Sequence, residues 1–181
     1  MNFSATTIPG VHLIIPEIKE DVRGSFARLW CAQEFTAHGL DTRVAQSSVS
    51  TNRRRGTLRG MHYQAAPFEE VKLVRCVRGA IFDVAIDLRP ESPTFQRHVA
   101  VELNASNRHA LYIPTGCAHG FQTLADDTEV WYQMSQSHSA EYARGVRWND
   151  PAFGIAWPIT PPTVILERDA QYPDFAVGTA R

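Results

Sequence analysis

Two short stretches hold the side chains best suited to chemistry. The first is Gly56-Thr-Leu-Arg-Gly-Met-His-Tyr-Gln64. Its His62 lies in a run that reads as a strand, close to Gly60, where a backbone can bend or approach a ligand. The second is Ile113-Pro-Thr-Gly-Cys-Ala-His-Gly-Phe121, which carries His119. A lone histidine is either a hydrogen-bonded core residue or a proton carrier, and residue type alone favours the core reading. Lys72, Tyr132 and Asp169 are further groups with proton or charge chemistry. Imidazole takes up a proton near neutral pH. A lysine in an apolar interior places positive charge where an oxyanion develops. The Tyr132 phenol offers a proton, and a carboxylate such as Asp169 fixes a histidine's tautomer and stabilises its protonated form. No Gly-x-Ser-x-Gly occurs, and no cysteine stands obviously beside a histidine, so no activated nucleophile is apparent. The set suits proton abstraction next to a carbonyl better than hydrolysis.

The elements that must position these groups are short β-type runs separated by turn residues. Val71 to Val77 is followed by Arg78-Gly79 and then by Ile81 to Leu88. There Phe82, Val84, Ile86 and Leu88 share one face, and Asp83, Ala85 and Asp87 the other. Arg89-Pro-Glu-Ser-Pro93 is a turn. His98 to Leu103 sets Val99, Val101 and Leu103 on one face, and Ala110 to Pro114 is a short strand ended by Pro114-Thr-Gly116. In Thr128 to Met134, Val130, Tyr132 and Met134 lie on one side and Trp131 on the other. Strands at roughly 10-residue spacing predict an all-β sandwich or barrel. Helical periodicity is scarce: Ala32 to Gly39 reads as one short helix with Gly39 as its C-cap. After a Pro-rich stretch from Pro158, Val164 to Asp169 reads as a turn or helix returning to pack against the barrel.

A length of 181 residues, at roughly 150 per domain, predicts a single domain over 1–181. Hydrophobic residues at 44% and charged residues at 20% are those of a globular chain, and 11 Gly with 11 Pro exclude a collagen-like or disordered one. With 18 basic against 19 acidic residues, a broad electrostatic grip on nucleic acid is not expected. A local basic site for a phosphorylated small molecule is compatible with that balance. No apolar run approaches the roughly 18 residues of a membrane span. Met1 to Gly10 has neither the basic segment nor the apolar core of a signal peptide. Three cysteines (Cys31, Cys76, Cys117) without a CxxC fit reduced thiols, so a cytoplasmic protein with neither membrane nor nucleic-acid partners is expected.

The pattern Pro114-x-Gly116-x-x-His119 followed by a strand resembles the second motif of the cupins, small jelly-roll barrels, and Gly56-x5-His62 resembles the start of the first. In metal-binding cupins the first motif continues His-x-His, then a Glu, then six residues and a turn glycine. Here the second His position is Gln64. Counting back from Gly79 puts Lys72 at the Glu position; counting forward from Gln64 reaches Glu69. A cationic lysine cannot ligate a divalent metal, and a neutral glutamine is a poor substitute for imidazole. His62 and His119 alone are too few, since at least three protein ligands are usual, so no metal is expected.

Seven pieces in order carry a more specific resemblance. They are Asp21-Val-Arg-Gly-Ser-Phe26, Gly56 to Gln64, Lys72-Leu-Val-Arg75, Gly79 to Arg89, Ser92-Pro-Thr-Phe95, Ile113 to Phe121 and Gly145-Val-Arg-Trp-Asn-Asp-Pro151. From Asp21 to Asp169 the chain resembles the dTDP-4-dehydrorhamnose 3,5-epimerases, cupin enzymes of deoxysugar nucleotide biosynthesis. The resemblance implies a cupin-like jelly-roll barrel with a few short helices. It implies a nucleotide-linked 4-keto-6-deoxyhexose substrate, inverted at C3 and C5 by proton abstraction and opposite-face reprotonation. His62 falls on the general base, Asp169 on its carboxylate partner and Tyr132 on the general acid. Lys72 falls on the group that steadies the enolate, and His119 on another pocket residue near the sugar. Arg59 matches a diphosphate contact and Gln46 a nucleotide contact. Arg23 and Phe26 match residues reaching across from a partner subunit, because the family forms dimers with exchanged strands. No cofactor is implied, because the substrate's ketone is the electron sink.

The departures from the family pattern lie on the nucleotide side. Ser48 stands where the family usually has an asparagine, in a stretch slightly longer than usual, and Asn52 is placed to supply the missing amide. His138 stands where many members have an aromatic pair; it can stack on a base with less apolar area than tyrosine. The nucleotide is therefore open between dTDP, CDP and another. Relatives acting at one carbon share the same catalytic residues, so a mono-epimerase or ketoisomerase is the runner-up within enzymes, and a non-catalytic sugar-nucleotide-binding cupin the runner-up outside them. Arg53-Arg54-Arg55 reads as a solvated turn, with phosphate steering as its alternative. Trp131 and Trp148 read as core or interface aromatics. Cys76 and Cys117 read as packing residues, and His12, His38, His98 and His109 as surface or strand residues.

Overall fold

Alternating apolar residues, many of them β-branched, dominate the central strands of the computed structural model, which describes residues 1–176. Residues 177–181 of the expected 1–181 domain lie outside the described residues. In chain order the elements are β1 (Asn2–Ala5), β2 (His12–Ile15), β3 (Ile18–Asp21), β4 (Gly24–Ala27), α1 (Ala32–Ala37), β5 (Gln46–Asn52), β6 (Thr57–Gln64) and β7 (Lys72–Arg78). They continue with β8 (Ala80–Asp87), β9 (His98–Asn104), β10 (Ala110–Ile113), β11 (Cys117–Thr123), β12 (Thr128–Met134), β13 (Ala143–Gly145), β14 (Val164–Ile165) and α2 (Glu167–Ala170).

The strands form an all-β jelly-roll barrel of two facing sheets. One has the order β1-β2-β10-β7-β12-β5; the other has the order β13-β6-β11-β8-β9, with β14 added parallel to β6. Strands β3 and β4 form a separate hairpin. The inner faces meet in a core that includes Val74, Cys76, Ile81, Ala85, Phe121 and Val130. Each large side chain buried this way contributes about 1.5–3 kcal/mol. The two faces expected for β8 are both covered. Val84, Ile86 and Leu88 pack outward against Trp148, Phe153 and Trp157 of the chain that follows β13, while Asp83 and Asp87 turn inward with Ile81 and Ala85 and are fully buried. Trp148 is a core residue, as expected.

Helix α1 lays Phe35 on the outside of the first sheet, beside Ile14, Leu73 and Tyr112. It ends one residue before the expected cap, with His38 as the C-cap and Gly39 just beyond it in the left-handed region at φ +70°. The C-terminal tail also returns as expected: β14 aligns Val164 with Thr57 and Ile165 with Leu58, and α2 follows directly. Strand β5, Gln46–Asn52, has little apolar alternation and is a sheet edge, paired among the described residues only to β12. A polar sequence is what an edge tolerates.

Candidate active site

Seven strands and one helix converge on a cavity of about 560 Å³, β13 and β14 among them. From β6 come Arg59 and His62, from β11 His119, from β7 Lys72, from β12 Tyr132, from β5 Gln46 and Ser48, and from α2 Asp169. His62 and His119 are register partners on adjacent strands. The strands cross closely just beyond that pair. A Cβ on Gly60, whose φ is +132°, would meet the Gly120 Cα at 2.5 Å. The close approach expected at Gly60 is thus made by the neighbouring strand.

Helix α2 brings the Asp169 carboxylate under His62, 107 residues away in sequence. Its Oδ1 lies 2.8 Å from His62 Nε2, and its Oδ2 accepts the Gly60 N–H at 3.2 Å. Burial pushes the Asp169 carboxyl up; the His62 hydrogen bond and charge, the Gly60 N–H and Arg168 outweigh it and hold the group below its ordinary value. Asp169 therefore stays ionised and fixes the ring through Nε2. Among the described residues His62 Nδ1 has no hydrogen-bond partner, and the edge of Tyr172 lies near the ring, centroids 6.4 Å apart.

A second imidazole–carboxylate pair lies deeper. His119 Nε2 is 2.7 Å from Asp83 Oδ1, and among the described residues Asp83 Oδ2 has no hydrogen-bond partner. Burial pushes the Asp83 carboxyl up against the pull of His119. The Tyr132 ring meets His119 edge to face, centroids 6.1 Å apart. Burial pushes the phenol well above its ordinary value and Asp83 adds to that, opposed by Arg59 and the Ser50 hydroxyl. Tyr132 therefore holds its proton across the neutral range. Lys72 is buried and paired with Glu70, so its charge is partnered rather than free. Glu69, the other count for the cupin carboxylate position, is exposed and does not line the cavity.

The remaining expected residues divide. Gln46, Ser48 and His138 line the same cavity, and Gln46 Oε1 accepts the His138 backbone N–H at 2.9 Å. Arg59 lines it too, its Nε donating to Asn52 Oδ1 at 2.8 Å. Asn52 does not stand in for Ser48: it is buried and its amide is spent on Ser50, Thr128 and Arg59. Arg23 and Phe26 do not reach this chain's cavity. They lie on the β3–β4 hairpin, where Arg23 pairs with Asp21 and Phe26 is 70% exposed. In the arginine run, Arg55 is tied to Asp126 and to the Leu124 carbonyl. Arg53 and Arg54 line a second cavity of about 260 Å³ that shares Thr57, Arg59 and Val164 with the first.

Gln64 is a fastening, not a ligand position. Its amide donates to the Phe68 and Ser137 carbonyls and accepts the Ser139 N–H, tying the loops at the cavity's edge. Among the described residues no three or more His, Cys, Asp or Glu side chains converge to hold a metal ion. Burial pushes the Cys76 and Cys117 thiols up to about 11 and about 12, which leaves them unreactive packing groups.

Sequence reasoning missed Glu70, Asp83 and Arg168. Glu70 had a local signal, because a residue two before Lys72 shares its face in an extended chain. Asp83 had another: an aspartate inside an apolar strand must find a partner if it is buried. Arg168, 3.4 Å from both Asp169 Oδ1 and His62 Nε2, had only its adjacency to Asp169. Chemically the cavity can move protons between an imidazole anchored by a carboxylate and a protonated phenol.

Comparison with known proteins bears on what that chemistry serves. The dTDP-4-dehydrorhamnose 3,5-epimerase family model matches residues 5–177. A dTDP-4-dehydrorhamnose 3,5-epimerase of Sinorhizobium fredii is 42% identical over 96% of this chain and 89% of its own length. The crystal structure of the Bacillus anthracis dTDP-4-dehydrorhamnose 3,5-epimerase with TDP and PPi bound superposes with a TM-score of 0.93. It is 35% identical and covers 96% of this chain and 99% of that one. The Legionella pneumophila dTDP-6-deoxy-D-glucose-3,5-epimerase, in complex with dTDP-4-keto-L-rhamnose, gives a TM-score of 0.88 at 34% identity, covering 93% of this chain and 89% of that one. With a family model spanning nearly all of its length and relatives this similar on either side of it, the chain belongs to the dTDP-4-dehydrorhamnose 3,5-epimerase family.

Proposed function

We propose that the chain is a 3,5-epimerase of a nucleotide-linked 4-keto-6-deoxyhexose, of the type that converts dTDP-4-dehydro-6-deoxy-D-glucose to dTDP-4-dehydro-L-rhamnose. The observation that carries this reading is the 2.8 Å contact between His62 Nε2 and the ionised Asp169, in one cavity with the protonated Tyr132. The C4 ketone acidifies the hydrogens on C3 and C5. His62, oriented through Nε2, removes one of them through its free nitrogen, and Asp169 stabilises the imidazolium that forms. Lys72, beside Glu70, faces the enolate charge on O4. Tyr132 delivers its proton to the opposite face and that carbon is inverted. Each positioned acid or base contributes about 10²–10⁴ in rate. The ketone itself is the electron sink, so the chemistry as written calls for no cofactor.

Arg59 takes the diphosphate, with Gln46, Ser48 and His138 on the nucleotide side and His119 near the sugar. The nucleotide is dTDP in this reading. We assign the β3–β4 hairpin to a homodimer interface, since it carries Val22 and Phe26 exposed to solvent and half-exposed Ile18. Arg23 and Phe26 then serve the partner's cavity. The whole chain works as one domain, in the cytoplasm, where its three thiols stay reduced.

The test is proton NMR in D₂O with dTDP-4-keto-6-deoxyglucose, run with the wild type and with His62→Ala. Exchange at both C3 and C5 that falls at least about 10²-fold in a folded His62→Ala protein supports the proposal. Exchange at one carbon replaces it with a mono-epimerase, and no exchange with a sugar-nucleotide binder. Light scattering tests the dimer; a monomer contradicts the shared Arg23 and Phe26.

A further inference from the structure

Arg59 is exposed on β6, and a free arginine on a strand samples many rotamers. Here it is held at one atom only. Its Nε donates to Asn52 Oδ1 at 2.8 Å, and its two terminal nitrogens have no protein acceptor among the described residues. The group that holds it is itself immobile. Asn52 is 2% exposed, at the end of β5, and its Nδ2 donates to the Thr128 and Ser50 carbonyls, each at 3.2 Å. The Thr128 bond ties Asn52 to its own register partner on β12. Gripping Nε while leaving both terminal nitrogens open is the arrangement a planar guanidinium needs to present two parallel N–H donors to one phosphate.

We infer that Asn52 is a positioning residue for substrate binding, acting through Arg59: it aims the guanidinium at the diphosphate of the bound nucleotide. The inference rests on the reading of Arg59 as the diphosphate contact. It gives Asn52 a role unlike replacement of the amide missing at Ser48. Because Asn52 lies away from His62 and Tyr132, its effect falls on binding and not on proton transfer. Freeing one rotamer-rich side chain corresponds to about a 3- to 10-fold loss of affinity.

A double-mutant cycle tests this, with dTDP affinity read by titration calorimetry and turnover measured on the dTDP-4-keto sugar. Asn52→Ala is expected to weaken dTDP binding about 3- to 10-fold and raise KM by the same factor, with kcat within twofold. In an Arg59→Ala background the further Asn52→Ala change is expected to do nothing, because its target is gone. Thymidine, which lacks the phosphates, is expected to bind wild type and Asn52→Ala alike. If Asn52→Ala weakens binding equally in both backgrounds, or lowers kcat with KM unchanged, the positioning role is overturned. If Arg59→Ala leaves dTDP affinity intact, the diphosphate reading falls first and takes this inference with it, and that result is distinct from the other two. Should Asn52→Ala not fold, Arg59→Lys carries the test, since it keeps the charge but has no Nε–H for Asn52. It is expected to lose the same 3- to 10-fold, and unchanged affinity overturns the role.

Discussion

Replacing Asp169 by asparagine is the sharpest probe of the proposed base, because it alters charge and hydrogen-bond direction with almost no change of shape. Asp169 uses one oxygen on His62 Nε2 and the other on the Gly60 N–H. An amide cannot serve both. If its oxygen stays on Gly60, its NH₂ faces His62 and forces Nε2 to accept. The ring proton then moves to Nδ1, the nitrogen with which His62 must abstract. If the amide turns over, its oxygen meets His62 and its NH₂ faces the Gly60 N–H, donor against donor at a buried site, at about 1–3 kcal/mol. In both cases the charge-assisted bond to the developing imidazolium is lost, worth about 1.5–3 kcal/mol, or roughly 10- to 150-fold in rate. Together these give an expected fall of about 10²-fold or more in kcat, with dTDP affinity unchanged because Asp169 lies behind the ring. The assay is deuterium incorporation at C3 and C5 under saturating substrate, with calorimetric titration of dTDP as the control. Exchange within about threefold of wild type, with normal dTDP affinity, refutes the claim that Asp169 sets the state of His62.

The same cavity supports two further expectations, and a buried carboxylate outside it a third. Tyr132→Phe retains deuterium exchange at the carbon but loses inversion there, and NMR that finds unaltered epimerisation removes Tyr132 from the acid role. Lys72→Met leaves Glu70 buried without its cation and lowers unfolding stability by about 3 kcal/mol. Adding Glu70→Gln recovers most of that in urea melts, while kcat stays about 10²-fold down in both proteins; recovery of activity with stability would make the pair purely structural. Burial alone would raise the Asp87 carboxyl, but hydrogen bonds from Arg89, Ser92 and Thr94 hold it down at about 2. A carboxylate whose folded pKa is depressed stabilises fully above its unfolded value and loses that contribution as pH falls toward the folded one. Asp87→Asn is therefore expected to cost about 2 kcal/mol at pH 7. Denaturant melts should show the difference closing as pH drops below about 4 toward 2, and a gap that persists there contradicts the linkage.

The central strands were legible because period-two alternation is a local property. Phe82, Val84, Ile86 and Leu88 could be assigned one face before any partner was known. Helix α1 was legible through Gly39, whose positive φ ends it. Strands β1 to β5 were not, since four are only four residues long and β5 reads Gln-Ser-Ser-Val-Ser-Thr-Asn, without clean alternation. Their pairing is decided by neighbours far along the chain, β10 for β2 and β12 for β5. The His62–Asp169 pair was visible only through resemblance, because nothing local links residues 107 positions apart.

What stayed hidden in the site has a common physical cause. In this barrel one inner face serves two purposes, dry core at one end and wet cavity at the other. Strand β7 crosses from one to the other: Lys72 lines the cavity, while Val74 and Cys76 belong to the core. On β12 the same face carries Val130 in the core, then Tyr132 and Met134 in the cavity. Alternation tells which residues share a face, but not where along that face the packing gives way to a binding space. A rule that sends polar residues outward therefore misplaces Asp83, which is fully buried and spends its carboxylate on His119. It misplaces Asn52 and Glu70 for the same reason, since both find their partners inside. The more informative reading of such a strand inverts the rule. A lone polar residue on an otherwise apolar inner face, where an unpartnered group would cost several kcal/mol, signals that a partner waits for it inside, as His119 does for Asp83, Arg59 for Asn52 and Lys72 for Glu70.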